Sequence, residues 1–130
     1  MSKKVSVILD ASALLALINQ EQGAQVVKEY FPDVAMSAVN VAEVATVLGH
    51  MGIPSDEVIL ILNDLVQTVI PFERKHIYQT AFLREKTKHL GLSFADRACL
   101  TLGLLNKQTI LTADKAWGKL QLDVDIKLIR

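Results

Sequence analysis

At 130 residues and zero formal net charge, the chain has the length of one ordinary domain, and its overall charge singles out no polyanionic partner. The single cysteine, Cys99, excludes an internal disulfide framework and a cysteine-rich zinc site. No run approaches the roughly 18 apolar residues of a membrane span. The apolar stretch after Met-Ser-Lys-Lys is broken at Asp10 with no small-residue cleavage site, so a soluble, unprocessed, cytoplasmic protein is expected.

Short apolar runs alternate with longer helical ones along residues 1–130, read as a single domain. Val5 to Leu9 predicts a strand buried on both faces. Helices are predicted over Ser12 to Asn19 and Gln22 to Phe31, then a strand over Val34 to Met36 and a helix from about Val41 to His50. Gly52, Pro54 and Ser55 punctuate, and Ser55-Asp56-Glu57 opens a helix to about Val66. Thr68 to Ile70 is the third strand, Glu73 to His89 a long amphipathic helix ended by Gly91, and Phe94 to Asn106 the next helix. Thr109 to Leu111 is a fourth strand, Lys115 to Leu120 a short helix, and Ile126 to Ile129 a last strand. This alternation predicts an α/β fold: right-handed crossovers and a central parallel sheet with helices on both faces.

In open sheets of this class, ligands bind beyond the carboxyl ends of the strands. Asp10 directly follows the first strand and Asp114 the fourth. Glu43 is placed in the first turn of the helix after Val34 to Met36, and Asp96 in the first turn of the helix starting near Ser93. Each acid alone has a plainer reading as a helix cap: Asp10-Ala-Ser12, Asn40-Val-Ala-Glu43, Ser93-Phe-Ala-Asp96 and Asp114 itself. Capping does not explain why all four fall at one edge. Four clustered carboxylates call for a cation, and oxygen-only ligation selects Mg²⁺ or Mn²⁺ over zinc. Carboxylate-bound ions of this kind drive phosphodiester chemistry. Such a cluster, metal-free, should hold at least one carboxyl with a raised pKa, and neutralising Asp96 should then stabilise the fold.

Other chemistries find less support. There is no glycine-rich phosphate loop and no Gly-x-Ser-x-Gly elbow. His50, His76 and His89 show no ligand spacing to the acids and read as surface or helix-end residues, while Cys99 reads as a buried, inert thiol. Residues 1–64 carry a net −5 and residues 65–130 a net +5, with Arg74, Lys75, Arg84, Lys86 and Lys88 the densest basic group. A solvated helix face is the plainer account of that group.

Together, Val-Ile-Leu-Asp10-Ala-Ser12, Asn40-Val-Ala-Glu43, Leu92-Ser-Phe-Ala-Asp96-Arg and Leu111-Thr-Ala-Asp114 resemble the ordered motifs of the PIN-domain nucleases over essentially the whole chain. The short length and the Asp-Ala-Ser opening make it similar to the VapC-type toxins of prokaryotic toxin–antitoxin pairs. The resemblance implies an Mg²⁺- or Mn²⁺-dependent endoribonuclease acting on RNA, usually a homodimer, neutralised by a cognate antitoxin that places peptide in the acidic site. It assigns catalysis and metal binding to Asp10, Glu43, Asp96 and Asp114. Ser12 and Thr112 match hydroxyls that support the metal or its waters, and Asn40 the polar residue that holds the segment leading to Glu43. Three alternatives stand beside it: a nuclease of RNA processing without an antitoxin, a phosphoacceptor signalling domain using Asp10, and a non-catalytic interaction module. A further expectation concerns Val58 to Leu62, five consecutive apolar residues that exceed one core-facing stripe. Either that helix is wholly buried or another chain covers it.

Overall fold

The computed structural model describes residues 7–130. In chain order these form β1 (Val7–Leu9), α1 (Ala11–Ile18), α2 (Ala24–Lys28), β2 (Val34–Ser37), α3 (Ala38–His50), α4 (Ser55–Leu65) and β3 (Thr68–Ile70). Then follow α5 (Arg74–Thr87), a 3-10 turn (Lys88–Leu90), α6 (Phe94–Asn106), β4 (Thr109–Thr112), a second 3-10 turn (Lys115–Lys119) and β5 (Ile126–Leu128). Val5 and Ser6 of the first predicted strand lie outside the described residues. The five strands form one sheet in the order β3-β2-β1-β4-β5 with every pairing parallel.

The pleat divides the interior into two cores, because alternate strand residues point to opposite faces. Val7 and Leu9 of β1 pack with α1, α2, α3 and α4, through residues such as Leu14, Val27, Leu48 and Leu62. Ile8 and Ile110 pack on the other face with Leu83 of α5 and with Cys99, Leu100 and Leu102 of α6. The predicted helices on both faces are therefore present. The middle strands β1 and β2 are buried throughout, while the edge strands β3 and β5 are largely exposed. Gly103 lets α6 lie close against β4, since a Cβ there would meet Ile110 Cδ1 at 2.6 Å.

Several boundaries differ by a residue or two, and two elements differ more. The α2 helix is shorter than 22–31, starting after Gly23, whose φ of 98° favours glycine. More consequentially, α3 begins at Ala38, capped by Ser37, whose Oγ accepts the Val39 N–H at 3.1 Å. Asn40 is therefore inside the helix and not its cap, and Glu43 sits in the second turn. The helix carrying Val58 to Leu62 is not wholly buried. Val58 and Leu62 face the core, but Ile59 and Leu60 are 59% and 70% exposed.

Candidate active site

Because all strands run parallel, their carboxyl ends share one edge, and Asp10 extends β1 into it by donating its N–H to Leu111 O at 3.2 Å. The Asp10 carboxylate is buried, at 4% exposure, and three donors converge on it. Ser12 Oγ and the Ala13 N–H donate to Oδ1 at 2.7 and 2.8 Å, and Thr112 Oγ1 donates to Oδ2 at 2.5 Å. Each hydroxyl is aimed by a backbone amide that donates to it: Ala113 N to Ser12 Oγ at 2.9 Å, and Asp114 N to Thr112 Oγ1 at 3.0 Å. Ser12 and Thr112 thus orient the acid, where the resemblance implied support of a metal or its waters. The turn after β4 is welded to the turn after β1.

Burial pushes the Asp10 carboxyl up to about 6, against the lowering effect of the Thr112, Ser12 and Ala13 hydrogen bonds; the nearby Asp96 charge adds a smaller rise. Glu43 is raised as well, first by burial, with the Asn40 amide opposing and Asp96 again adding repulsion. At least one raised carboxyl is expected and two are found, with burial ahead of mutual repulsion as the cause.

Asp96 is the acid whose charge acts on both of the others. It closes the predicted capping box, its Oδ2 accepting the Ser93 N–H at 2.9 Å while Ser93 Oγ accepts the Asp96 N–H at 3.1 Å. Asn40 ties the neighbouring helices together, donating through Nδ2 to Glu43 Oε1 at 3.3 Å and to Ala95 O at 3.0 Å. Beneath the three acids lies the Cys99 thiol, fully buried, raised chiefly by that burial and further by Asp10, Asp96 and Glu43. It stays protonated, so the expected inert thiol is what the structure holds.

Asp114 stands apart. It is exposed, and its Oδ1 caps the 3-10 turn by accepting the Ala116 N–H at 3.0 Å. Its link to the other acids runs through its backbone N–H and the Thr112 hydroxyl. Of the four predicted acids, the structure brings Asp10, Glu43 and Asp96 within electrostatic reach and leaves Asp114 at the margin. His76 departs from its surface reading. It is buried in α5, where Nδ1 accepts the Glu73 N–H at 2.8 Å. His50 and His89 are exposed as expected.

Among the described residues, no three His, Cys, Asp or Glu side chains already enclose an ion. The donor chemistry nonetheless fits a hard divalent cation. Among the described residues, Asp96 Oδ1 and Glu43 Oε2 meet no donor, and the Asp96 charge acts on both Asp10 and Glu43. Asn40 Oδ1 is buried with no partner, and since Nδ2 serves two acceptors the amide cannot be flipped to relieve it. A buried orphaned carbonyl is costly, so Asn40 is kept at this position by what its Nδ2 does for Glu43 and Ala95. Like charges hold such acids apart until a cation joins them.

Comparison with known proteins bears on this geometry. The sequence matches the family model of the PIN domain over residues 7–121. No curated protein matches it in sequence. Among solved structures it is similar to a toxin–antitoxin complex from Klebsiella pneumoniae, with 16% identity and a TM-score of 0.75 over 96% of this chain and 98% of that one. It is similar to DNA-bound VapBC from Salmonella typhimurium, with 10% identity and a TM-score of 0.72 over 97% and 99%. VapBC2 from Rickettsia felis, bound to a DNA fragment from its promoter, gives 14% identity and a TM-score of 0.69 over 94% and 97%.

Proposed function

Since the chain belongs to the PIN domain family, we propose that it is an Mg²⁺- or Mn²⁺-dependent endoribonuclease and the toxin of a toxin–antitoxin pair. The observation that carries this reading is the buried Asp10 carboxylate, oriented by three donors and within electrostatic reach of Asp96, which in turn acts on Glu43. Asp10, Asp96 and Glu43 would hold the ion, with Asp114 completing the set from the rim. A bound divalent ion supplies a nucleophilic water at neutral pH and offsets charge developing on the phosphate. The chain's own contribution is pre-organisation. Ser12 and Thr112 fix Asp10, Asn40 fixes Glu43, and the cap fixes Asp96, so little reorganisation remains when RNA arrives.

The phosphoacceptor alternative loses support from the same geometry. Asp10 is too buried to receive a phosphoryl group, and the strand order β3-β2-β1-β4-β5 differs from the 2-1-3-4-5 order of flavodoxin-like signalling folds. The toxin assignment rests on the motif set and on the likeness to toxin–antitoxin complexes.

Incubating the purified protein with structured RNA tests the reading. Cleavage is expected in millimolar Mg²⁺ or Mn²⁺ and should fall roughly a thousandfold in EDTA, as losing several kcal/mol of charge stabilisation requires. Undiminished cleavage in EDTA would refute it.

A partner surface follows from α4. Ile59 and Leu60 project from it beside a groove of about 430 Å³ that Ala45, Gly49 and Ile53 help to line. We assign this patch to a protein partner, the antitoxin or a second copy. The double substitution Ile59→Asp, Leu60→Asp should weaken that association at least about tenfold, since apolar anchors dominate such interfaces. The isolated chain's melting temperature should hardly change, because both side chains are exposed. Light scattering and antitoxin titration read the two cases; association of wild-type strength in both would remove the assignment.

A further inference from the structure

Arg97 directly follows Asp96, yet its guanidinium does not pair with that carboxylate. It donates through Nε to Thr80 O of α5 at 3.1 Å and through Nη1 to Leu92 O at 3.2 Å, and it lies 6.0 Å from the centre of the Phe94 ring. Leu92 immediately precedes Ser93, the residue whose N–H holds Asp96 Oδ2. Consecutive residues in the first turns of α6 therefore grip consecutive residues of the incoming loop: Asp96 takes Ser93, and Arg97 takes Leu92.

The same arginine fastens that loop to α5. Around it the helix seam is polar: the Thr80 and Thr101 hydroxyls meet at 2.7 Å, and Thr101 Oγ1 donates to Arg97 O at 3.0 Å. The loop itself has freedom to lose, since Gly91 at its start sits at a φ of 67°. Leu92 already anchors the segment through its buried side chain, and the arginine fork adds the hydrogen bond that fixes its backbone carbonyl and, with it, the seat of the capping box. A planar guanidinium can serve two carbonyls at fixed angles; a single ammonium cannot.

We propose that Arg97 is a positioning residue that fixes the Asp96 carboxylate for capture of the divalent ion by clamping the Leu92–Ser93 segment against α5. This rests on the reading that Asp96 holds that ion. In this role Arg97 acts through Asp96 alone.

The test is Mn²⁺ affinity by calorimetry, with RNA cleavage kinetics and thermal melts alongside, on Arg97→Ala, Arg97→Lys and Thr101→Val. Arg97→Ala should weaken Mn²⁺ binding about 10- to 100-fold, the usual effect of removing a residue that orients a metal ligand. It should lower kcat while leaving KM for RNA near wild type. Arg97→Lys, which keeps the charge and loses the fork, should fail to restore Mn²⁺ affinity, and it carries the test should the alanine variant not fold. Thr101→Val loosens the same seam without touching Leu92; it should lower the melting temperature and leave Mn²⁺ affinity unchanged. In an Asp96→Asn background, Arg97→Ala should cause no further loss of Mn²⁺ affinity, the non-additivity expected of a residue acting through another. Wild-type Mn²⁺ affinity in Arg97→Ala or Arg97→Lys, additivity with Asp96→Asn, or an equal loss in Thr101→Val would each overturn the proposal. Failure of the wild-type protein itself to bind Mn²⁺ would instead overturn the metal reading of the site, and this inference with it.

Discussion

Asp10→Asn is expected to lower metal-dependent RNA cleavage by about three orders of magnitude, with circular dichroism showing an intact fold. Asp10 is the one acid with every supporting donor already in place, held by Ser12, Ala13 and Thr112 at the centre of the sheet edge. Asparagine is nearly isosteric and keeps an acceptor for the Ala13 N–H, so the helix cap survives while the charge is lost. A loss of several kcal/mol of transition-state stabilisation corresponds to that rate change. Asp96→Asn should fall nearly as far, because Asp96 lies within electrostatic reach of both Asp10 and Glu43. Asp114→Asn should lose only about tenfold, since Asp114 is exposed and reaches the others only through Thr112. Single-turnover cleavage rates of the three variants decide the matter. A loss at Asp114 equal to that at Asp10 would show that the site closes around all four acids, and an active Asp10→Asn would remove it from catalysis.

That ranking of the acids was not readable in the sequence, although their common edge was. The segments Val7–Leu9 and Val34 to Met36 are continuous apolar runs, and such runs announce buried parallel strands; an acid directly after one must lie at its carboxyl end. How far the turn after β4 carries Asp114 from Asp10 depends on hydrogen bonds between residues about a hundred positions apart, to which spacing is blind. The early start of α3 escaped for a local reason. Ser37 and Asn40 are both good caps, and propensity cannot choose between them; Ser37 prevails because β2 delivers it at the point where the chain turns.

The buried face of α5 misled in the opposite sense. His76, Thr80, Leu83 and Thr87 recur at helical spacing, but three of the four are polar and so resemble a solvated stripe. They are buried because each is satisfied: His76 by the Glu73 N–H, Thr80 by Thr101, and Thr87 by Leu83 O. Of these, Thr80 also ties α5 to the helix that carries Asp96, through the Thr101 hydroxyl and the Arg97 guanidinium. A hydropathy pattern alone gives no sign of it.

The last expectation concerns the metal-free protein and the acid whose burial is greatest. With its folded-state pKa at about 6 against an ordinary 3.8, Asp10 binds its proton more tightly in the folded chain than in the unfolded one. Between those two values the folded state therefore carries more protons, and stability must fall as pH rises. The loss begins near pH 4, is nearly complete above pH 7, and amounts to roughly 3 kcal/mol for a shift of this size. Glu43, also raised, contributes in the same direction. This moves the strain away from Asp96, where clustering alone had placed it. Asp96 holds the Ser93 N–H at a helix N-terminus, a favourable place for a negative charge, so neutralising it forfeits part of what it relieves. The informative substitution is Asp10→Asn, which should flatten most of the decline in stability between pH 5 and 7.5. Saturating Mg²⁺ should restore the wild type at pH 7.5 and do far less for the variant, since an ion that binds only the folded state stabilises it. Urea unfolding of both proteins at pH 5 and 7.5, in EDTA and in millimolar Mg²⁺, gives the answer. A wild-type protein more stable at pH 7.5 than at pH 5 in EDTA, or an Asp10→Asn variant that keeps the full decline, would show that the buried carboxylate is stabilised by its three donors more than burial penalises it.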